Sequence, residues 1–444
     1  MHLPEAGQID DMLADVGLDA EQLFSDVPQP VRRRLDIPEG KPDREVEQEI
    51  TSTLAENTTV QERPGLLGGG SYDHWIPPET RFLSTRGELL TSYTPYQAEI
   101  NQGLLQALFE FQTLSARLLE LDVANNGLYD GASAAGEACL MALRVGRGTR
   151  VLVPEHLPDQ RASIVENYVD GAGGTIERIP TDPATGTVDV DALQAMLDDD
   201  VGCVHVENPN ALGCLEPMDA IGDVTDDAGA TFTANVPEVT ALGLLHGPGH
   251  HGADIATAEG QPLALPPSYG GPSLGLFAAR KKHLRKMPGR ITGKTEDEDE
   301  RDAYCLTLQT REQHIRRSRA TSNICTNQSF LALMFTVTLG TLGETGFRNM
   351  AETNAARARQ ARQRLAEAGA EIPYADSHHY NEFLFEVPGD RDLFLQRARE
   401  RGVEAGIPAE RVLGHGHDGI VACVTETVPD DAIDTVVETV QEVV

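Results

Sequence analysis

Two short stretches hold most of the side chains that could do chemistry. The first is Ser92-Tyr93-Thr94-Pro95-Tyr96-Gln97-Ala98-Glu99. Thr94 suits a helix N-cap, Pro95 the first helical position, and Gln97 three residues on completes a capping box. A helix N-terminus offers spare N–H groups. Flanked by the phenols of Tyr93 and Tyr96, it would attract a carboxylate or a phosphate. The same residues also read as a packing collar around a well-made cap. The second stretch is residues 64–78, where Gly68, Gly69 and Gly70 permit close backbone approach. Tyr72, His74 and Trp75, the single tryptophan, stand at its end. A plain flexible loop is the alternative there.

The elements that position these groups follow from periodicity. Apolar residues at Ile100, Leu104, Leu108, Phe111, Leu114, Leu118 and Leu121 predict a long helix running on from the cap, with one buried stripe. Residues 1–60 read as an N-terminal helical arm with too few apolar residues for a core of its own. Asp130-Gly131-Ala132-Ser133 leads into a helix ending near Arg144, a weak phosphate-cradle pattern. From 149 to 260 predicted strands (150–154, 175–180, 202–206, 231–235, 253–256) alternate with helices (158–169, 190–197, 217–227). That order argues for a parallel, doubly wound α/β sheet, with ligands beyond the carboxyl ends of the strands. Helices over 325–340 and 345–368, strands over 382–387 and 420–425, and a closing helix over 429–443 predict a smaller α+β unit. The expected division is 1–60 arm, 61–300 large domain and 301–444 small domain.

Composition narrows the function. Seventy acidic residues against 36 basic give a formal net charge of −34. Such a chain repels a nucleic-acid backbone, and its self-repulsion is screened by salt. A protein adapted to a salt-rich cytoplasm is the expectation. Five residues are lysine (Lys41, Lys281, Lys282, Lys286, Lys294), and the other 31 basic residues are arginine. Residues 311–319 form a basic island, where Arg316 and Arg317 are candidate anion contacts. The six cysteines contain no C-x-x-C pair and read as reduced, mostly buried thiols. His246, His250 and His251 crowd one segment, but no carboxylate or cysteine lies at regular ligand spacing beside them, so no metal site is expected. His378-His379 and His415-Gly416-His417 are read the same way. With no leader sequence and no apolar run near the roughly 20 residues of a membrane span, the reading is soluble and cytoplasmic.

Several motifs carry a family resemblance over nearly the whole chain. They are Tyr72-x-His74, Thr94-Pro95-Tyr96-Gln97-Ala98-Glu99-Ile100-x-Gln102-Gly103, Asp130-Gly131-Ala132, Pro209-Asn210-x-x-Gly213, Gly252-Ala253-Asp254-Ile255 and Gly270-Gly271-Pro272-x-Leu274-Gly275. Pro288-Gly289-Arg290-x-x-Gly293 and a long run from Leu306 to Gln328 complete the set. The chain resembles the P-proteins of the glycine cleavage system, glycine dehydrogenase (decarboxylating), and in particular the N-terminal-half subunit of the two-subunit form. Arg319 departs from the lysine usual there.

The resemblance implies a fold type I, aspartate-aminotransferase-like α/β architecture with a smaller C-terminal α+β domain. It implies decarboxylation of glycine and transfer of the aminomethyl group to the lipoyl group of the H-protein. Pyridoxal phosphate would serve as cofactor, held by a partner subunit 2 in a heterodimer or α2β2 heterotetramer. In that fold a lysine carries the cofactor. From Leu242 to Ala279 this chain has none, and Gln261 falls about where the lysine should be. The strand expected to present an acid to the pyridine nitrogen ends Asn235-Val236-Pro237, with Glu238 nearby. Tyr93, Thr94, Tyr96, His74 and Tyr72 are then the supporting residues of a shared active site. Two other classes stay open: a self-sufficient pyridoxal-phosphate aminotransferase or decarboxylase, and a non-catalytic scaffold subunit.

Overall fold

Alternating apolar residues place two faces on one sheet. Its strands are β1 (Val123–Ala124), β2 (Arg150–Pro154), β3 (Thr175–Ile179), β4 (Val201–Glu207), β5 (Thr231–Val236), β6 (Ile255–Glu259) and β7 (Gly275–Ala279). Val151 and Val153 of β2, Cys203 of β4, Ile255 of β6 and Phe277 of β7 pack on one face, against Ala134, Ala138 and Met141 of the helix Gly131–Val145. Their neighbours Leu152, Val204, Ala256 and Leu276 turn to the other face. This is the period of two expected of a pleated sheet buried on both sides.

The strand order is β1-β7-β6-β5-β4-β2-β3. Strands β2 to β6 pair in parallel, and β7 and β1 close one edge antiparallel. The computed structural model describes residues 6–33, 36–414 and 416–443, so His415 lies outside the described residues.

The predicted strands and helices of the 149–260 region stand within a few residues of their expected bounds. The helix after Tyr96 does not. It runs Gln102–Leu118 behind Asn101, which makes no side-chain cap, and only a 3-10 turn (Ala98–Ile100) precedes it. Thr94 therefore caps nothing, and Ile100 is exposed instead of joining the buried stripe. Tertiary contacts explain the delay. The Tyr96 hydroxyl is tied to Arg290, and the Gln102 side chain bonds the backbone of Tyr304 at both N–H and C=O. The buried stripe begins at Leu104.

Residues 291–307 form a hairpin of β8 (Ile291–Glu296) and β9 (Asp302–Thr307) that sequence periodicity misses; the acidic run is its tip. A three-stranded antiparallel sheet follows, from β10 (Glu382–Phe385), β11 (Ile407–Pro408) and β12 (Ile420–Cys423), with β12 central. The helices Arg391–Glu400 and Asp430–Val443 pack on it.

One long helix, Ser329–Glu367, is broken at Gly343, which sits at φ 61°. Its first half contributes Leu331, Phe335 and Leu339 to the large-sheet core, and its second half contributes Ala358, Ala361 and Leu365 to the small-sheet core. By length and composition this helix is apolar enough to cross a membrane, which the sequence reading did not expect. Its apolar side chains instead fill both cores.

Residues 1–59 are a separate unit. It contains the helices Ala6–Asp15 and Asp43–Leu54, and Ile9, Met12, Val46, Ile50 and Leu54 are exposed on it.

Candidate functional site

Parallel strands bring their carboxyl ends together, and here those ends carry acids and amides. Glu207 ends β4, Asn235 lies near the end of β5, Glu238 follows it, and Glu259 ends β6. Arg161, from the helix Asp159–Gly171, grips Glu207 with both arms, Nε to Oε1 at 2.8 Å and Nη2 to Oε2 at 2.6 Å. Asn235 Nδ2 donates to Glu207 Oε1 at 2.9 Å and its Oδ1 accepts from the Thr257 hydroxyl at 2.9 Å. Burial opposes the Arg161 charge, but Glu207 outweighs it and raises the pKa further.

The N-terminus of the helix Gly131–Val145 is closed by two carboxylates. Asp130 caps it, accepting from Ser133 N at 2.7 Å. Glu259 Oε2 accepts from Gly131 N at 2.9 Å, while its Oε1 accepts from Gln261 N at 2.8 Å and Leu274 N at 3.0 Å. Burial lifts the Glu259 pKa to about 7 against the pull of these amides. Gln261 is buried in the turn after β6 and donates its carboxamide to the Leu265 carbonyl.

Pyridoxal phosphate, the group implied by the resemblance, needs a lysine amine and an anion hole at a helix N-terminus. These residues do not fit it. An amide stands at 261, and the amides at Gly131 and Ser133 that would receive a phosphate are bonded to carboxylates.

The Gly-rich loop threads between the large and small sheets. Tyr72 and His74 are both buried. The Tyr72 hydroxyl donates to Glu382 Oε2 at 3.1 Å, and Gly69 N donates to Glu382 Oε1 at 2.6 Å. His74 lies between two carboxylates, with Nε2 3.0 Å from Glu238 Oε2 and Nδ1 2.9 Å from Glu426 Oε2. Burial works against the imidazolium, but Glu238 and Glu426 prevail and push its pKa up to about 10. Glu382, with no cation bonded to it among the described residues, is lifted by burial to about 7. Both ring nitrogens of His74 are thus spent inside the chain.

The remaining candidates lie at the surface. Tyr93 is exposed and Tyr96 half exposed. Arg290 is buried beneath Tyr96. Its Nη2 donates to the Tyr96 hydroxyl at 2.9 Å and to the Cys325 carbonyl at 2.6 Å, and its guanidinium lies 5.4 Å from the Tyr96 ring centroid. Glu312 Oε2 is 3.5 Å from Arg290 Nε, and the His314 ring stands edge-on to Tyr96 at 6.4 Å. Asn327 Oδ1 and Thr326 Oγ1 accept from Arg290 Nη1 at 3.3 Å.

Thr94 Oγ1 is buried, with no hydrogen-bond partner among the described residues. Arg316 and Arg317 are exposed in the short turns after Glu312, while Arg311 is pinned to the Leu308, Met287 and Gly289 carbonyls. The structure therefore separates the predicted set. Tyr96 is exposed over the buried Arg290, whereas Tyr72 and His74 belong to an interior network. Arg290, Glu382 and Glu426 were missed as site residues. Only the Pro288-Gly289-Arg290 motif gave any signal.

The profile described as "Glycine cleavage system P-protein" matches residues 2–440. The chain belongs to that P-protein family. Among P-protein relatives, the "Probable glycine dehydrogenase (decarboxylating) subunit 1" of Thermococcus kodakarensis is 38% identical over 449 residues, covering 100% of this chain and 98% of its own. The protein so named in Parvibaculum lavamentivorans is 41% identical over 407 residues, covering 91% and 90%. A crystal structure of glycine decarboxylase (P-protein) of the glycine cleavage system, in inhibitor-bound form, aligns over 100% of both chains with a TM-score of 0.89 at 35% identity. A cysteine desulfurase from Thermococcus onnurineus aligns at a TM-score of 0.65 and 14% identity over 92% of this chain and 99% of its own, a likeness of fold alone. The P-protein fold here is the mostly parallel sheet of the pyridoxal-phosphate-dependent transferases.

Proposed function

We propose that this chain is subunit 1 of a glycine dehydrogenase (decarboxylating), and that the pyridoxal phosphate is carried by a partner subunit 2. The overall reaction releases the glycine carboxyl group as CO₂ and passes the aminomethyl carbon to the lipoyl group of the H-protein, in the cytoplasm. The observation that carries the division of labour is the Glu259 carboxylate on Gly131 N, together with Gln261 in place of an amine. A cofactor phosphate would meet negative charge there.

This chain's contribution is then a surface. Tyr96, its hydroxyl held by the buried Arg290 and its ring facing solvent, offers a fixed phenol and a nearby cation to an anionic group such as a glycine carboxylate. His74, locked between Glu238 and Glu426, acts as a positioning residue for the loop that ends at Trp75. Arg316 and Arg317, exposed in the turns after Glu312, would contact an anion or the lipoyl-bearing partner.

The test uses the chain alone and with a co-expressed subunit 2. Each is given pyridoxal phosphate, reduced with borohydride and mapped by mass spectrometry, and exchange of the glycine carboxyl carbon with labelled bicarbonate is followed. A pyridoxyl-lysine on subunit 2 only, with exchange only when both chains are present, is the expected result. A stoichiometric adduct on one lysine of this chain would overturn it. In the complex, Tyr96→Phe should lower turnover about 10- to 100-fold, the cost of one charge-assisted hydrogen bond, with assembly intact.

A further inference from the structure

The three histidines before β6 gain from the fold what the sequence around them lacks, a carboxylate. Glu120, which follows the helix Gln102–Leu118, lies beside His246 and His250, 126 and 130 positions away. His246 Nδ1 is 3.0 Å from Glu120 Oε1, and His250 Nδ1 is 3.5 Å from Oε2. Donor atoms of the three residues all fall within 4.8 Å of one another. We propose that Glu120, His246 and His250 form a binding site for one first-row divalent cation of the zinc type, separate from the Tyr96–Arg290 patch.

Spacing supports this. Zinc bonds to imidazole nitrogen and carboxylate oxygen of about 2.0–2.2 Å, arranged tetrahedrally, set neighbouring ligand atoms about 3.4 Å apart. The two nitrogen-to-oxygen distances bracket that value. Two imidazoles and one carboxylate suit zinc, nickel, cobalt or copper(II). Magnesium and calcium prefer all-oxygen shells. All three side chains are exposed, so water can complete the coordination.

The backbone that carries the donors is held in place. Glu120 is fixed at φ 54°, a left-handed conformation unfavourable to a residue with a Cβ. Gly247 N donates to its Oε1 at 3.2 Å, and Gly249 N donates to the Leu119 carbonyl at 3.0 Å. The loop lies so tightly on the helix end that a Cβ on Gly249 would be 1.9 Å from the Glu120 carbonyl oxygen. The rings of His246 and His250 stack at 3.8 Å and 10°. Each nitrogen lone pair lies in the plane of its own ring, so cation binding turns one exposed ring out of the stack and brings both Nδ1 atoms onto one ion. His251, bonded to Asp219 at 2.6 Å, stands edge-on to His250 at 5.1 Å. The net charge of −34 concentrates divalent cations near the surface.

The experiment uses the full chain, stripped with chelator and titrated with zinc chloride by calorimetry and with cobalt chloride by visible absorption. One equivalent should bind and raise the melting temperature. His246→Ala, His250→Ala and Glu120→Gln should each abolish that event, while His378→Ala keeps it. Absence of a stoichiometric event in the wild type, or its survival in His246→Ala/His250→Ala, overturns the site. Zinc-edge X-ray absorption on the wild type gives an answer independent of any variant's folding. Two imidazole ligands support the site, and sulfur or all-oxygen ligation overturns it.

Discussion

His74 is an imidazolium enclosed by its counter-charges. Its pKa moves from 6.5 to about 10 because Glu238 and Glu426 outweigh the cost of burial. Removing the ring leaves both carboxylates without their cation, so His74→Ala should cost about 3–5 kcal/mol of stability. The folded pKa lies above the unfolded one. The contribution is therefore fully present below pH 6.5 and lost as pH rises through about 10. Urea unfolding across that interval should show the wild type losing stability and His74→Ala losing much less. Parallel curves would mean that the ring is not charged in the fold. A sequence reading sees a histidine beside a tyrosine after three glycines and assigns it to a reaction. It cannot see Glu238 and Glu426 closing on the ring from 164 and 352 positions away.

The turn at Asn210–Cys214 shows how a motif becomes a junction. Asn210 Oδ1 accepts from Leu212 N and Cys214 N at 3.0 Å each, so the side chain shapes its own loop. Gly213 stands at φ 82°, and a Cβ there would lie 2.2 Å from the Glu382 carbonyl oxygen of β10. Gly213→Ala should therefore destabilise by at least about 2 kcal/mol, from left-handed strain plus displacement of the small sheet. Thermal unfolding checks this, and a melting temperature equal to wild type would show that β10 can retreat.

The large sheet and most of its helices were legible because burial on both faces writes long apolar runs and alternations. The helix after Tyr96 was misplaced because local capping chemistry at Thr94 competes with distant partners, Arg290 and Tyr304, and loses. The β8–β9 hairpin was hidden because its acidic tip looks like any solvated loop. Of the candidate site, Tyr96 was legible as an exposed phenol. Arg290 was not, because its burial and partners are set by contacts with residues 325–327. Glu120 was invisible as a partner of His246 and His250 because 126 and 130 positions separate them.

Seventy acids on one chain repel one another, and the repulsion weakens as the screening length falls from about 10 Å at 0.1 M salt to about 3 Å at 1 M. Stability should therefore rise with potassium chloride well beyond the level that saturates ordinary surface ion pairs. A melting temperature that falls between dilute buffer and molar salt would contradict an adaptation to salt. The buried network works the other way. Among the described residues, Glu207, Glu238, Glu382 and Glu426 face only Arg161 and His74 as hydrogen-bonded cations, and the interior is shielded from added ions. Salt should thus change the surface term and leave the pH dependence of His74 in place.

The broken helix Ser329–Glu367 bears on how the protein is made. All seven strands of the large sheet have left the ribosome once Ala279 emerges. One wall of their core, Leu331, Phe335, Leu339, Phe347 and Met350, comes later. Until then that apolar face is covered only in part, by Leu104, Leu108 and Phe111 of the helix Gln102–Leu118. The helix turn that covers it continues past Gly343 into Ala358, Ala361 and Leu365, the seed of the second core. Completion of the first core and initiation of the second are thus successive events on one stretch of polypeptide, and a chain cut near residue 300 would leave the first core permanently open.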